Sequence, residues 1–86
     1  MAETDLGPAV SIAQANCNVV LQAMGCRAIG VDGRLGPQTC GAIQHVLASA
    51  PTSLQSSAAY TIVQAHAWLL DSCTSAPNYS CTAAAQ

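Results

Sequence analysis

The residues of this chain whose types and spacing could do chemistry are concentrated in the turn between Val31 and Thr39. Asp32 and Arg34 place a carboxylate and a guanidinium on either side of Gly33. A carboxylate accepts hydrogen bonds from ligand hydroxyls, and a guanidinium binds a ligand carboxylate through two parallel hydrogen bonds. Thr39 lies in the first turn of the helix that follows, where free backbone N–H groups favour an anion. All four residues are therefore candidate ligand-binding residues, although they equally suit a purely structural turn and helix cap.

A second candidate group contains two aromatic side chains and an amide. Tyr60, Gln64 and Trp68 are spaced by four residues and share one face of a predicted helix. Aromatic rings stack on sugars, and amides donate and accept hydrogen bonds, so this face suits a carbohydrate. Tyr and Trp also dominate protein interfaces, so the same face suits a partner protein. A third possibility is that Trp68 packs beneath the C-terminal residues.

The two histidines do not form a catalytic or metal-binding pattern with their helical neighbours. No Asp or Glu lies at helical spacing from His45 or His66 to orient the imidazole ring. His66 lies on an apolar face, where a histidine with a satisfied hydrogen bond is the commoner case. We expect no catalysis, no metal and no other cofactor.

Composition limits the classes of protein to which the chain can belong. Its 86 residues fit one domain over 1–86, with 51% hydrophobic and 7% charged residues. The net charge of −2 gives no basic surface, so we expect no nucleic-acid partner. No apolar run is long enough to span a membrane, and the first residues lack the pattern of a signal peptide. The five cysteines indicate an oxidising compartment and leave at least one thiol outside an intramolecular pair.

Apolar spacing and helix-boundary residues predict an all-α fold, a compact three-helix bundle with an Asp-Gly loop between the first two helices. The first predicted helix runs from Pro8 to Met24, with Thr4 or Asp5 near its start. The second runs from Pro37 to Ser49 and the third from Ser53 to Cys73. An irregular tail over 74–86 follows. The predicted inward face of helix 1 comprises Val10, Ala13, Cys17, Val20 or Leu21, and Met24. That of helix 2 comprises Ala42, Ile43, Val46 and Leu47. That of helix 3 comprises Ala58, Ile62, Ala65, His66, Leu69 and Cys73.

The segment 16–47 resembles the peptidoglycan-binding domain of cell-wall hydrolases, a small three-helix fold. Met24-Gly25, Asp32-Gly33, Leu35-Gly36-Pro37, Thr39 and Ala42-Ile43 match its motif in order. Cys17-Asn18 falls where the family has Leu-Gln. Val46 and Leu47 depart from it, because the family has Phe and Gln at those positions. The third predicted helix carries no matching motif.

The resemblance places Cys17 at a core leucine position, which implies a buried free thiol. Cys26 then follows the end of helix 1 and Cys40 lies on helix 2. Their spacing suggests a Cys26–Cys40 disulfide that clamps the Asp-Gly loop, and a Cys73–Cys81 disulfide that folds the tail onto helix 3.

The resemblance implies a non-catalytic module that binds peptidoglycan, through its glycan or its stem peptide, outside the cell or in the cell wall. Arg34 is then the residue expected to bind a stem-peptide carboxylate. An alternative from a different class is a structural or assembly protein, such as a phage virion component or a packed subunit. The scarcity of charge, the Ala- and Ser-rich surface and a chain starting at Met1 favour this alternative. A secreted inhibitor or effector is a third possibility, based on size and cysteines alone.

Overall fold

Every regular element of the described residues is helical. The computed structural model describes residues 6–74 and 76–81, so the predicted helix start at Thr4 or Asp5 lies outside the described residues. The elements are α1 (Gly7–Ala23), α2 (Pro37–Ser49), α3 (Thr52–Gln55), α4 (Ala58–Ala65) and a 3₁₀ helix (Ala67–Ser72). The all-α prediction is confirmed at this level.

The predicted first helix is confirmed, and its end is built by backbone hydrogen bonds. Gly25 has a φ of +79°, a conformation that a residue without Cβ adopts freely. The N–H of Gly25 donates to Gln22 O over 3.0 Å, and the N–H of Cys26 donates to Leu21 O over 2.7 Å. This pair of bonds is the Schellman motif, which satisfies carbonyls that the helix end leaves open.

The predicted second helix is confirmed from Pro37 to Ser49. Pro37 fits the first turn because its missing N–H has no intrahelical acceptor there. The chain becomes extended at Ala50, as expected for a residue that precedes a proline, here Pro51.

The prediction of one continuous third helix is wrong, because the segment is split into α3, α4 and the 3₁₀ helix. The break occurs at Ser56 and Ser57, and Ser57 rather than Ser53 caps a helix. Its hydroxyl accepts a hydrogen bond from the N–H of Tyr60 over 3.1 Å. Serine competes for backbone hydrogen bonds and so favours such caps over helix interiors.

The core lies where α1, α2 and α4 pack against one another. On α1 and α2 the predicted faces are buried, except that Met24 and Leu47 are only partly covered. The predicted face of the third segment is confirmed only at Leu69, which is fully buried; Ile62, His66 and Cys73 are partly buried, and Ala58 and Ala65 are exposed. The residues that α4 buries instead are Ala59, Tyr60 and Val63.

Both predicted disulfide pairings are wrong, although all four cysteines are in disulfides. The bonds join Cys26 to Cys81 and Cys40 to Cys73. Cys40 is buried on α2, which packs against the 3₁₀ helix that ends just before Cys73. The C-terminal residues then return to the end of α1 and reach Cys26. The prediction failed because spacing favours local loops, whereas these bonds span separations of 55 and 33 residues.

The two disulfides are consistent with an oxidising extracellular environment. Among the described residues, no helix has the length and apolar character needed to cross a membrane.

Candidate functional site

The Asp32 loop, residues 29–36, is held by one buried side chain of α1. Gln14 donates from Nε2 to Asp32 Oδ1 and to Thr39 Oγ1, each over 2.9 Å. Its Oε1 accepts from the backbone N–H groups of Asp32, over 3.0 Å, and Gly33, over 2.9 Å. The side chain of Gln14 is only 1% exposed, so its hydrogen bond to the buried Thr39 hydroxyl is shielded from water. The sequence analysis did not identify Gln14.

Asn18 holds the start of the same loop, one helical turn beyond Gln14. Its Nδ2 donates to Ile29 O, and its Oδ1 accepts from Ile29 N–H, both over 2.8 Å. Residues four apart share a helix face, so two amides at positions 14 and 18 project toward one side of α1. This pair of amides at a four-residue interval was the sequence signal that could have located the anchor.

Gly33 fits the tightest point of the loop. Its φ is +73°, and a Cβ there would lie 3.1 Å from Ser11 Oγ and 3.4 Å from Gly7 O. A larger residue would therefore meet both backbone strain and a neighbour on α1.

The four predicted ligand-binding residues of the turn differ in accessibility. Asp32 and Arg34 are exposed, Gly33 is half-buried, and Thr39 is 4% exposed. The Thr39 hydroxyl is engaged inside the protein, since it also donates to Arg34 O over 3.3 Å. Thr39 therefore stabilises the loop rather than facing a ligand.

The Asp32 carboxylate is held in its charged form. Hydrogen bonds from the Gln14 amide and from the backbone N–H of Arg34 lower its pKa below the ordinary value. The Arg34 N–H donates to Oδ1 over 2.9 Å. This bond closes the turn on itself, with the exposed Arg34 guanidinium beside it.

The predicted face of Tyr60, Gln64 and Trp68 is not a single surface. Tyr60 is only 5% exposed and belongs to the core, with its hydroxyl 3.5 Å from Leu47 O. Gln64 is exposed on α4, and Trp68 is 48% exposed on the 3₁₀ helix. The prediction that Tyr60 binds a ligand is therefore wrong, because its side chain is buried in the core.

The C-terminal segment, residues 76–81, crosses α2 at very short range. A Cβ on Gly41 would lie 2.7 Å from Tyr79 N and 2.8 Å from Tyr79 Cβ, so glycine is required there. Asn78 N–H donates to Pro37 O over 3.0 Å, and the Tyr79 hydroxyl donates to Arg27 O over 2.6 Å. The segment is thereby bonded to Arg27 and Pro37, which lie just before and just after the Asp32 loop.

A groove of about 280 Å³ lies between α2 and the C-terminal segment. Within the groove, the ring centroids of His45 and Tyr79 lie 5.6 Å apart, and the two ring planes are tilted by 52°. The groove carries a phenol, an imidazole, an amide and a hydroxyl, and no carboxylate, ammonium or guanidinium group is among its lining residues. Its lining residues are Gly41, Gln44, His45, Ala48, Ser49, Pro77 and Tyr79.

Cys17 is free and buried, as predicted. Burial raises the pKa of its thiol to about 12. The nucleophilic form of a cysteine is the thiolate, so this residue is unreactive at neutral pH. His66 is also engaged: its Nδ1 lies 2.8 Å from Ile62 O and, because a carbonyl only accepts, carries the proton.

No protein-family model matches this chain, and comparison with curated proteins and with solved structures likewise gives no match.

Proposed function

We propose that this protein is a non-catalytic module that binds bacterial peptidoglycan, with a sugar of the glycan in the groove beside Tyr79. One observation carries the proposal: an aromatic ring, an amide and a hydroxyl line the same groove. Tyr79, Gln44 and Ser49 supply these three groups. In this interpretation α1, α2 and α4, with the Asp32 loop, correspond to the three-helix fold that the sequence resemblance implies.

The chemistry of the groove fits a neutral, hydroxylated ligand. A sugar ring presents C–H groups that pack on an aromatic face and hydroxyl groups that need hydrogen-bond partners at its edge. Gln44 can both donate and accept, as can the hydroxyl of Ser49. The groove is at the small end of the range for ligand sites, so a single ring is its appropriate occupant.

Arg34 is assigned a second contact, to a carboxylate of the stem peptide. It is exposed, and the backbone around it is fixed by hydrogen bonds to Gln14 and Asp32. A guanidinium on a rigid turn loses less conformational freedom when it forms a bidentate pair. The loop thus contributes a positioned cation, while Oδ1 of Asp32 and the N–H groups of Asp32, Gly33 and Arg34 are engaged within the protein.

Co-sedimentation of the oxidised protein with insoluble peptidoglycan tests the proposal. Gln44→Ala removes one neutral hydrogen-bonding group and is expected to weaken binding about fivefold. Arg34→Ala removes a charge-assisted pair and is expected to weaken it about tenfold. Gln38→Ala is the matched control, because Gln38 is an exposed glutamine of the same helix outside the groove. Wild-type protein that stays in the supernatant overturns the proposal.

A role as an assembly protein is the second candidate, favoured by four large apolar side chains that are about half exposed. These residues are Ile12 (47%), Val19 (57%), Val31 (52%) and Trp68 (48%). Ile12 and Val19 are seven residues apart on α1 and therefore share a face. Exposed apolar groups of this size favour association when they are contiguous. Sedimentation velocity at high concentration distinguishes this candidate, since a clean monomer contradicts self-assembly.

A further inference from the structure

Three side chains with metal-ligating atoms meet where the C-terminal segment joins the end of α1. The Sγ atoms of Cys26 and Cys81 and a ring nitrogen of His45 all lie within 4.8 Å of one another. Cys26 Sγ is 3.9 Å from His45 Nε2. In the oxidised protein the two sulfurs are bonded to each other, so the cluster has a second use only when that disulfide is open.

The separation of Cys26 Sγ and His45 Nε2 is close to that in a tetrahedral zinc site, whereas the two sulfurs, bonded to each other in the oxidised protein, must separate to about 3.8 Å. With Zn–S near 2.3 Å and Zn–N near 2.1 Å, sulfur and nitrogen ligands lie about 3.6 Å apart. The observed separation of Cys26 Sγ and His45 Nε2 needs only a small adjustment to reach this value. Cys81 is exposed, so its side chain is free to rotate away from Cys26 once the S–S bond is broken.

Non-covalent contacts hold Cys81 near the other two residues without the disulfide. The Tyr79 hydroxyl donates to Arg27 O over 2.6 Å, next to Cys26 in the chain. Asn78 N–H donates to Pro37 O, and the Tyr79 ring contacts the His45 ring. These contacts lie two and three residues before Cys81, so they limit how far its thiol can move.

We propose that the protein has a second, reduced state in which Cys26, His45 and Cys81 bind a zinc ion. A dithiol reductant supplies two electrons, becomes a cyclic disulfide and leaves two cysteine thiols. Zinc then displaces two thiol protons and binds two thiolates and one neutral imidazole. The charges of the ion and the thiolates cancel, which suits a site that includes the buried Cys26.

A site with three protein ligands leaves the fourth coordination position of the ion open, and one of those ligands, His45, also lines the groove. A water molecule or a donor atom of a small ligand fits there, as in zinc sites with three protein ligands. The disulfide and the metal are mutually exclusive, so the redox state of the surroundings selects between them.

Cobalt binding tests the site, because Co²⁺ takes zinc positions and its absorption reports thiolate ligands and tetrahedral geometry. The background is Cys40→Ala/Cys73→Ala, which removes the other disulfide. After reduction, we expect one Co²⁺ per chain with thiolate-to-metal charge-transfer absorption, displaced by zinc. His45→Gln should weaken binding about 100-fold, since even loss of an outer-shell partner costs 10–100-fold. His66→Gln is the matched control and should bind as the background does.

A second measurement uses the native sequence, so the outcome does not depend on folding of a variant. The reduced chain is alkylated briefly with and without zinc, and the labelled cysteines are identified by peptide mapping. Zinc should protect the exposed Cys81, while labelling of the half-buried Cys73 should be unchanged; Cys26 and Cys40 are buried and give no readout in a brief reaction. Equal labelling of Cys81 with and without zinc overturns the proposal, as does identical cobalt binding by the two histidine variants. Peptidoglycan binding is measured without reductant or metal, so the two proposals fail independently.

Discussion

Two irregular segments of this molecule, the Asp32 loop and the C-terminal segment, are fixed to the helices by different chemistry. The loop is held by the side-chain amides of Gln14 and Asn18 on α1. The C-terminal segment is tied by the disulfide at Cys81 and lies in close contact with Gly41. Amide hydrogen bonds are indifferent to reductants, whereas a disulfide is not. The loop is therefore insensitive to reductants, whereas the segment loses its covalent tie on reduction and is then held by non-covalent contacts such as the hydrogen bonds of Asn78 and Tyr79.

The largest expected effect comes from Cys26→Ala/Cys81→Ala. This change removes the outer disulfide, which encloses the inner disulfide Cys40–Cys73 in the sequence. Loop entropy predicts a loss of about 3.5 kcal/mol in the free energy of unfolding, with the inner disulfide still closing most of the loop. Urea unfolding measures the loss. Hydrogen exchange at the Asn78 amide should become faster through local opening. Exchange at the Gly33 amide should become faster only as far as the lower global stability requires. Equal local loosening at both amides would contradict the comparison.

Gln14→Ala should disturb the loop and leave the C-terminal segment in place. The change leaves the N–H groups of Asp32 and Gly33 without their acceptor and opens a small cavity, so we expect a loss of about 2.5 kcal/mol. Gln22→Ala is the control, because Gln22 is exposed on the same helix and should change stability by less than about 0.5 kcal/mol. A similar loss in both variants would show that the buried amide does not anchor the loop.

The effect of Gly41→Ala on the free energy of unfolding should depend on whether the Cys26–Cys81 disulfide holds the C-terminal segment. With the disulfide intact, contact of the new Cβ with Tyr79 should cost about 2 kcal/mol, against a gain of about 1 kcal/mol in helix propensity. In the Cys26→Ala/Cys81→Ala background only non-covalent contacts hold the segment, so it can shift slightly away from Gly41, and the cost of the substitution should shrink or become a gain of up to about 1 kcal/mol. Thermal unfolding of the four proteins gives this cycle, and equal effects in both backgrounds would contradict it.

The smallest effect concerns pH and is confined to the loop. The pKa of Asp32 is lowered in the folded state, chiefly by the Gln14 amide. A lowered folded pKa means that its stabilisation is complete above the unfolded value near pH 4 and is lost as pH falls through the folded value. Asp32→Asn keeps an oxygen acceptor and should flatten this acid dependence in unfolding curves. An unchanged dependence would assign it to other carboxylates.

The same contrast explains which parts of the structure could be predicted from the sequence. The first two helices and the buried Cys17 follow from local periodicity and boundary residues such as Gly25 and Pro37. Gln14 was overlooked because a polar residue within an amphipathic helix is usually exposed, and only the folded loop makes its burial favourable. The disulfide predicted to clamp the loop is wrong, because the amides of Gln14 and Asn18 hold it instead.

The third segment shows where periodicity misleads. Apolar spacing continues through Ser56 and Ser57, but the hydroxyl of Ser57 caps a new helix and rotates the buried face toward Tyr60 and Val63. The disulfide pairing could not be derived locally, since it depends on the C-terminal segment crossing α2 at Gly41. The groove forms only through that crossing, so its residues gave no signal as a group.

NMR titration of the oxidised protein with a soluble muropeptide tests most directly whether the groove binds peptidoglycan. If it does, we expect saturable shifts of the backbone amide signals of Gln44, His45 and Ser49 of α2, with weaker shifts at Arg34. The amide signals of Gln38 and its neighbours should not shift. No shift at high ligand concentration, or shifts confined to the exposed Ile12 and Val19 face of α1, would contradict binding in the groove.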